Sequence, residues 1–467
     1  MDFAAVIQIR SSVKLKCARN WLMSISIRIP VEILGHIFVL TTVQEQGIHF
    51  EGLKKRSYNF CLVCHHWSEV ASNTPELWRC WGNTLKDWEK WHFRTGSLVD
   101  LVLDHEPGPG GLSIPLSSEL SGRLKDCANQ DMIRQIHLHS YSPDPLGSIL
   151  SSVTPDGEDV QEKSIESFII HTSSIPKELS KFFARLRLPL LWHFEIIGRF
   201  ETLSWHHIES SLTSTCLTTF SLKAGGSSLC LTTPQLLSIL NANPNLQDLT
   251  LVRVLPHKIE DVGIAGQHLS HLRKIYLWGK FRSVFQLLEL LDPPALLDYV
   301  ELVMEKSTSS DIHQMLVPYL KEFFQDHNRF KEPLEVTIST HYHVLITIIL
   351  GGEGPIRQYA RFSMGLINQV DKLDLQQVAI NLTKCVPQER VEILEMDCTF
   401  GIPEDFFNVM PKLSSLRLEY FDLLDGFMGV NSNGQPSGWK PLPSLQSLHL
   451  EQIFVKDGDW QPLLTYL

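Results

Sequence analysis

The chain has 467 residues, of which 43% are apolar and 20% charged, and it carries a net charge of −11 with an isoelectric point near 6.0. That length exceeds one ordinary core and implies two to four structural units or one extended array. The acid excess argues against nucleic acid as the main ligand, because phosphate binding needs a basic surface.

Residues 1–27 contain Arg10, Lys14, Lys16 and Arg19 against a single acid, Asp2. A disordered basic tail is expected there; a misplaced start codon or a mitochondrial transit peptide fits the same acid-poor, serine-bearing composition. A helix is expected from about Pro30 to Leu40. Proline suits a first helical position, where its missing N–H has no intrahelical partner to lose. Ile33, Leu34, Ile37 and Phe38 then form a single apolar stripe. Residues 43–56 are polar, hold Gly47, Gly52 and Lys54-Lys55-Arg56, and read as a loop. A second helix is expected from about Tyr58 to Ala71, carrying Leu62, Val63, Trp67 and Val70. It stops near Asn73-Thr74-Pro75, because proline disfavours helical geometry in the residue before it.

Beyond this, Leu98–Leu103 reads as a strand, and Glu106–Pro115, Tyr141–Glu162 and Asp425–Pro443 as loops rich in turn-forming residues. The pattern Leu-x-x-Leu-x-Leu then recurs. Good instances begin at Leu217, Leu246, Leu272 and Leu297, spaced by 29, 26 and 25 residues, and weaker ones at Val370, Val391, Leu413 and Leu445. A stricter form, led by proline, occurs at Pro244–Leu251, Pro411–Leu418 and Pro443–Leu450. The first two follow helix-like segments, Gln235–Leu240 and Asp405–Val409. Proline ends each helix, and the alternating leucines form a short strand buried against the next unit. Helix-and-strand units of this size are what a leucine-rich-repeat solenoid needs. The interval 297–370 does not show the repeat cleanly, although Asp311–Asp326 reads as helix and Leu334–Ile338 as strand. His343–Leu350 is the most apolar run and is strand-sized, far below the roughly 20 residues that span a bilayer, so no membrane association is expected.

The informative motif lies near the start. Ile29-Pro30-Val31-Glu32-Ile33-Leu34-Gly35-His36-Ile37-Phe38 is followed by Cys61-Leu62-Val63-Cys64-His65-His66-Trp67 and then by Asn73-Thr74-Pro75-Glu76-Leu77-Trp78. The three pieces, in order, resemble the F-box of fungal F-box proteins. Ile29 stands where the family has leucine, and Ser68 where arginine is frequent. The resemblance covers residues 29–78 and implies an F-box over 28–80, followed by an irregular leucine-rich-repeat-like partner-binding region over 81–467. The implied fold is therefore α/β, a small helical F-box before an irregular solenoid. The implied partners are a Skp-type adaptor, a cullin reached through it, and an unknown protein target. The implied adaptor contacts are Pro30, Ile33, Leu34, Ile37, Phe38, Leu62, Val63 and Trp67. The implied role is a non-catalytic substrate-recognition subunit of an SCF-type ubiquitin ligase, or a scaffold that binds the adaptor without directing degradation.

Other chemistry has little support in the residues. Cys61-x-x-Cys64-His65 matches a haem-attachment pattern and, with His66, half of a zinc site, but no second ligand pair stands at zinc spacing. His206-His207 and His341-Tyr342-His343 lack nearby carboxylates. No phosphate loop, His-Glu-x-x-His helix or Gly-x-Ser-x-Gly elbow occurs. No metal, cofactor or catalysis is expected. Nine scattered cysteines fit reduced thiols, hence the cytosol or nucleus.

Overall fold

The computed structural model describes residues 15–16, 29–43, 59–74, 77, 99–105, 117–140, 142–155, 159–200, 205–213, 216–225, 231–256, 269–291, 299–305, 311–326, 334–339, 344–350, 360–367, 381, 384–385, 391–397, 410–419 and 444–451. The chain divides into two compact units, 1–215 and 216–467, and is mixed α/β with a mainly parallel sheet. Of the loop expected at 43–56, Val43 is the last residue of a helix and the rest lies outside the described residues, as do the loops expected at Glu106–Pro115 and Asp425–Pro443, the helix at Asp405–Val409 and the pattern at Val370.

The first unit opens with helix α1 (Val31–Val43), a helical stretch over 59–63 and helix α2 (His65–Ser72). The second helix expected from the sequence is thus broken at Cys64. Cys64 has extended backbone, and its Sγ accepts the Trp67 N–H at 3.4 Å, so it caps α2 instead of continuing a helix through it. Strand β1 (Val99–His105), helix α3 (Ser118–Asn129), β2 (Ile133–Ser140), α4 (Pro143–Val153), β3 (Gln161–Glu162), β4 (Ser167–Thr172), α5 (Glu178–Arg185), β5 (Leu186–Arg187), β6 (His193–Gly198) and α6 (Trp205–Leu212) follow. Strands β1, β2, β4 and β6 pair parallel in chain order, and β3 pairs with β5.

Register builds this unit's core. Leu101, Ile136, Phe168 and Phe194 are aligned across the four strands, as are Leu103, Leu138, Ile170 and Ile196. Phe168 packs its ring against Phe182, Phe183 and Phe194 at centroid distances of 5.4, 5.1 and 5.9 Å. Helix α4 corrects the expected loop at Tyr141–Glu162. Pro143 occupies its first turn, where proline is tolerated, and Leu146, Ile149, Leu150 and Val153 are buried at helical spacing.

The second unit holds β7 (Thr219–Ala224), α7 (Thr233–Ala242), β8 (Asp248–Val252), β9 (Lys274–Lys280), α8 (Phe281–Leu291), β10 (Tyr299–Glu305), a π-helical turn (Ile312–Leu316) running into α9 (Val317–Asp326), then β11 (Leu334–Ser339), β12 (Val344–Leu350), β13 (Ala360–Ile367), β14 (Val391–Asp397), β15 (Ser415–Glu419) and β16 (Ser447–Glu451). Seven of the eight Leu-x-x-Leu-x-Leu starts lead into a strand, β7, β8, β9, β10, β14, β15 and β16. Phe220, Leu249, Ile275 and Val300 stand in register, as do Leu222, Leu251, Leu277 and Leu302, and all eight are buried. Asn243, 2% exposed, joins successive elements: its Oδ1 accepts the Leu217 N–H, and its Nδ2 donates to the Ile239 carbonyl.

The interval where the repeat fades is where the topology changes. Strand β10 pairs parallel with β13, not with β11; β13, β12 and β11 run antiparallel, and β11 then pairs parallel with β14. No described helix is long and apolar enough to cross a membrane.

Candidate functional site

The eight residues singled out in the F-box-like segment separate into two groups. Leu34 and Phe38 are buried, at 2% and 1% exposure, and with Val70, Ala71 and Leu77 they form a small core. The Phe38 ring stacks on Phe60 at 4.4 Å and meets the half-buried Trp67 at 5.0 Å. Helices α1 and α2 approach closely at Gly35, where a Cβ would come within 2.8 Å of Thr74 Oγ1. Thr74 Oγ1 in turn donates to the Val70 carbonyl at 2.7 Å and holds the end of α2.

Pro30, Ile33, Ile37, Leu62 and Val63 instead face solvent, with Ile33 54% and Leu62 80% exposed. The apolar stripe expected on α1 is therefore two stripes side by side. Leu34 and Phe38, four residues apart, point into the core. Ile33, Ile37 and Leu40, at i, i+4 and i+7, lie about 100° round the helix on the open side. Val31 and Leu40, not singled out from the sequence, belong to the exposed set; the i+7 position of Leu40 is the signal that would have found it. Six of the eleven exposed large apolar residues among the described residues fall in this short segment: Val31, Ile33, Ile37, Leu40, Leu62 and Val63. Such a concentration is unusual for a protein surface, where exposed apolar residues are ordinarily scattered singly.

A groove of about 790 Å³ runs between α1 and α2, walled by Val31, Glu32 and His36 on one side and His66, Glu69 and Asn73 on the other. Cys61 and Cys64 are free thiols, and Cys64 is occupied as the α2 cap. Among the described residues no group of three His, Cys, Asp or Glu side chains is placed to hold a metal ion. His206 and His207 are neighbouring rings on α6, and His341 and His343 lie outside the described residues.

The outward face of the first unit's sheet carries a histidine network that the sequence did not flag. His137 shares a hydrogen bond with Ser167 Oγ at 2.8 Å, and His171 one with Glu195 at 2.7 Å, while the His139 and His171 rings meet edge to face. Burial, reinforced by the neighbouring His193 and His171 and opposed by Glu195, pulls the His137 imidazole down to about 4. Strand alternation places these residues together: every second residue of β2, β4 and β6 shares the face, and adjacent strands are in register. No family model, curated protein or solved structure matches the chain.

Proposed function

We propose that this chain is the substrate-recognition subunit of an SCF-type E3 ubiquitin ligase. In this reading residues 28–80 are an F-box that docks on a Skp-type adaptor and, through it, a cullin, while the leucine-rich-repeat-like remainder holds a protein target. The chain performs no chemistry itself. It raises the target's effective concentration beside the ubiquitin-charged enzyme.

The observation that carries the reading is the division of the motif's apolar residues. Leu34, Phe38 and Trp67 supply a core just large enough to order two short helices, which leaves Ile33, Ile37, Leu40, Leu62 and Val63 uncovered. A segment this small, with so much apolar surface in water, gains stability from a partner that covers it. The solenoid reading draws support from the recurring strands and their aligned ladders of buried leucine, isoleucine and phenylalanine. The same spacing also appears in the first unit, starting at Ile133, Ile165 and Leu191, with isoleucine and phenylalanine in place of leucine.

The test uses the full chain carrying Ile33→Asp, Ile37→Asp and Leu62→Asp. These substitutions lie on exposed positions and leave the core intact. We expect the wild type to capture a purified Skp-type adaptor and the variant to lose it with unchanged thermal melting. Capture that survives all three charges overturns the reading. Adaptor capture without adaptor-dependent ubiquitination of any bound protein assigns the chain to the scaffold role instead.

A further inference from the structure

Two non-glycine residues among those described adopt the left-handed conformation, Asp131 (φ 53°) and Arg253 (φ 55°). Asp131 is a short polar residue that tolerates this geometry, and its carboxylate accepts both the backbone N–H and the hydroxyl of Ser164. Arginine has a long side chain and a Cβ that disfavour this geometry, so glycine would suit the position better; the Arg253 backbone N–H donates to the Trp278 carbonyl at 2.7 Å. What the conformation achieves is placement. The Arg253 guanidinium lies 4.5 Å above the Trp278 ring, and its Nε donates to Glu305 Oε1 at 3.2 Å. The same carboxylate oxygen accepts the Trp278 indole N–H at 2.7 Å. A flexible cation is thus pinned on one face by an aromatic ring and on its Nε edge by a carboxylate. Its Nη edge has no hydrogen bond among the described residues, and the side chain remains 42% exposed.

Cations outnumber carboxylates around the fork, Arg253, Lys223 and Lys280 standing against Glu301 and Glu305. Lys223 pairs in register with Val252, beside Arg253, and Lys280 pairs with Glu305. Both carboxylates are engaged: Glu305 is bonded to Arg253 and Trp278, and Glu301, opposite Tyr276, accepts the Tyr299 hydroxyl. Tyr276 lies two residues before Trp278 on the same face and is partly exposed. A rigid guanidinium fork flanked by lysines and aromatic rings is complementary to a carboxylate, which it can bind with two parallel N–H···O bonds. Trp, Tyr and Arg are also the residue types that dominate protein-interface energetics.

We propose that the face of β8, β9 and β10 around Arg253 and Trp278 is the target-contacting surface, and that it takes an acidic segment of a protein partner by its side-chain carboxylates. This deepens the receptor reading and rests on it, but uses none of the F-box residues.

The test is subtractive panning of phage-displayed random decapeptides on the full chain, keeping those that bind the wild type but not Arg253→Gly. Glycine relieves the left-handed strain while it removes the fork, so the melting temperature should hold or rise although binding is lost. The retained peptides should be rich in Asp and Glu. In fluorescence polarisation the best of them should weaken at least about tenfold with Arg253→Gly and with Arg253→Lys, which keeps the charge but loses the fork. The remote exposed Lys181→Gln should change nothing. Retained peptides with no acidic enrichment, no peptides that separate the two baits, or affinity that survives Arg253→Gly would overturn the proposal. Adaptor capture by Arg253→Gly, measured alongside, keeps the two readings apart. If it persists while the peptides fail, this inference falls and the F-box assignment stands.

Discussion

Ile33 and Leu34 are chain neighbours of similar size, yet one is 54% exposed and the other 2%. They therefore answer different questions when mutated. Phe38→Ala removes the ring that stacks on Phe60 and Trp67, and a buried Phe truncated to Ala costs about 3–5 kcal/mol. That is more than so small a core is expected to hold in reserve. The same holds for Leu34→Ala combined with Trp67→Ala. Both changes should abolish adaptor capture by melting the helical segment, seen as lost helical circular dichroism. Ile37→Asp should abolish capture with the dichroism intact. His137 makes a prediction of another kind. Its native titration, near 4, lies below the unfolded value of 6.5, so protons bind the unfolded chain preferentially. The neutral form's stability is complete above about 6.5 and declines as pH falls toward about 4, by at most about 1.4 kcal/mol per pH unit. Urea titrations across this window should show a shallower decline for His137→Gln than for the wild type. Equal declines would remove His137 from the account.

Element boundaries are set by local chemistry that can be tested singly. Helix α7 begins with a reciprocal cap: Thr232 Oγ1 accepts the Gln235 N–H, and Gln235 Oε1 accepts the Thr232 N–H. Thr232→Ala should cost about 1 kcal/mol in urea unfolding, with little change in native dichroism. Strand β6 ends at Gly198, where a Cβ would come within 2.7 Å of the Thr172 carbonyl oxygen. Backbone cannot rotate out of the way as a side chain can. Gly198→Ala should therefore force a shift between β4 and β6 and cost about 1–3 kcal/mol, read as a lower melting temperature. Helix α4 shows why composition misleads at this scale. Its Pro-Asp-Pro opening looks like a turn, but prolines in a first turn are compatible with the helix that Leu146, Ile149 and Leu150 then drive.

At the scale of the molecule, the parallel strands stand in register with their neighbours, and β2, β6, β8 and β9 bury close to every second residue, whereas β16 buries none. The array is interrupted where β11, β12 and β13 form an antiparallel run between β10 and β14. Antiparallel neighbours need no crossover helix between them, so the sequence there has no reason to keep the helix-plus-strand spacing. The interval 297–370, where the repeat does not show cleanly, contains this antiparallel run. The F-box reading also makes a prediction here. The basic residues 1–27 carry none of the apolar side chains assigned to docking, so their deletion from the full chain should leave adaptor affinity unchanged in a pull-down titration. A loss of affinity without unfolding would extend the docking surface into that segment.

The sequence by itself determined the α/β character, the first N-terminal helix and most of the parallel strands, because apolar spacing and proline placement act locally along the chain; the break at Cys64 in the second helix was not legible in it. It could not apportion the α1 residues between core and surface. Ile33, Leu34, Ile37 and Phe38 are equally apolar, and which pair is covered depends on where Phe60, Trp67 and Val70 arrive from. Nor could it show that Arg253, Trp278 and Glu305 meet, since they are far apart in the chain and are joined only by the register of β8, β9 and β10. Periodicity fixes which way a side chain points from its own element; packing against other elements decides what it meets there.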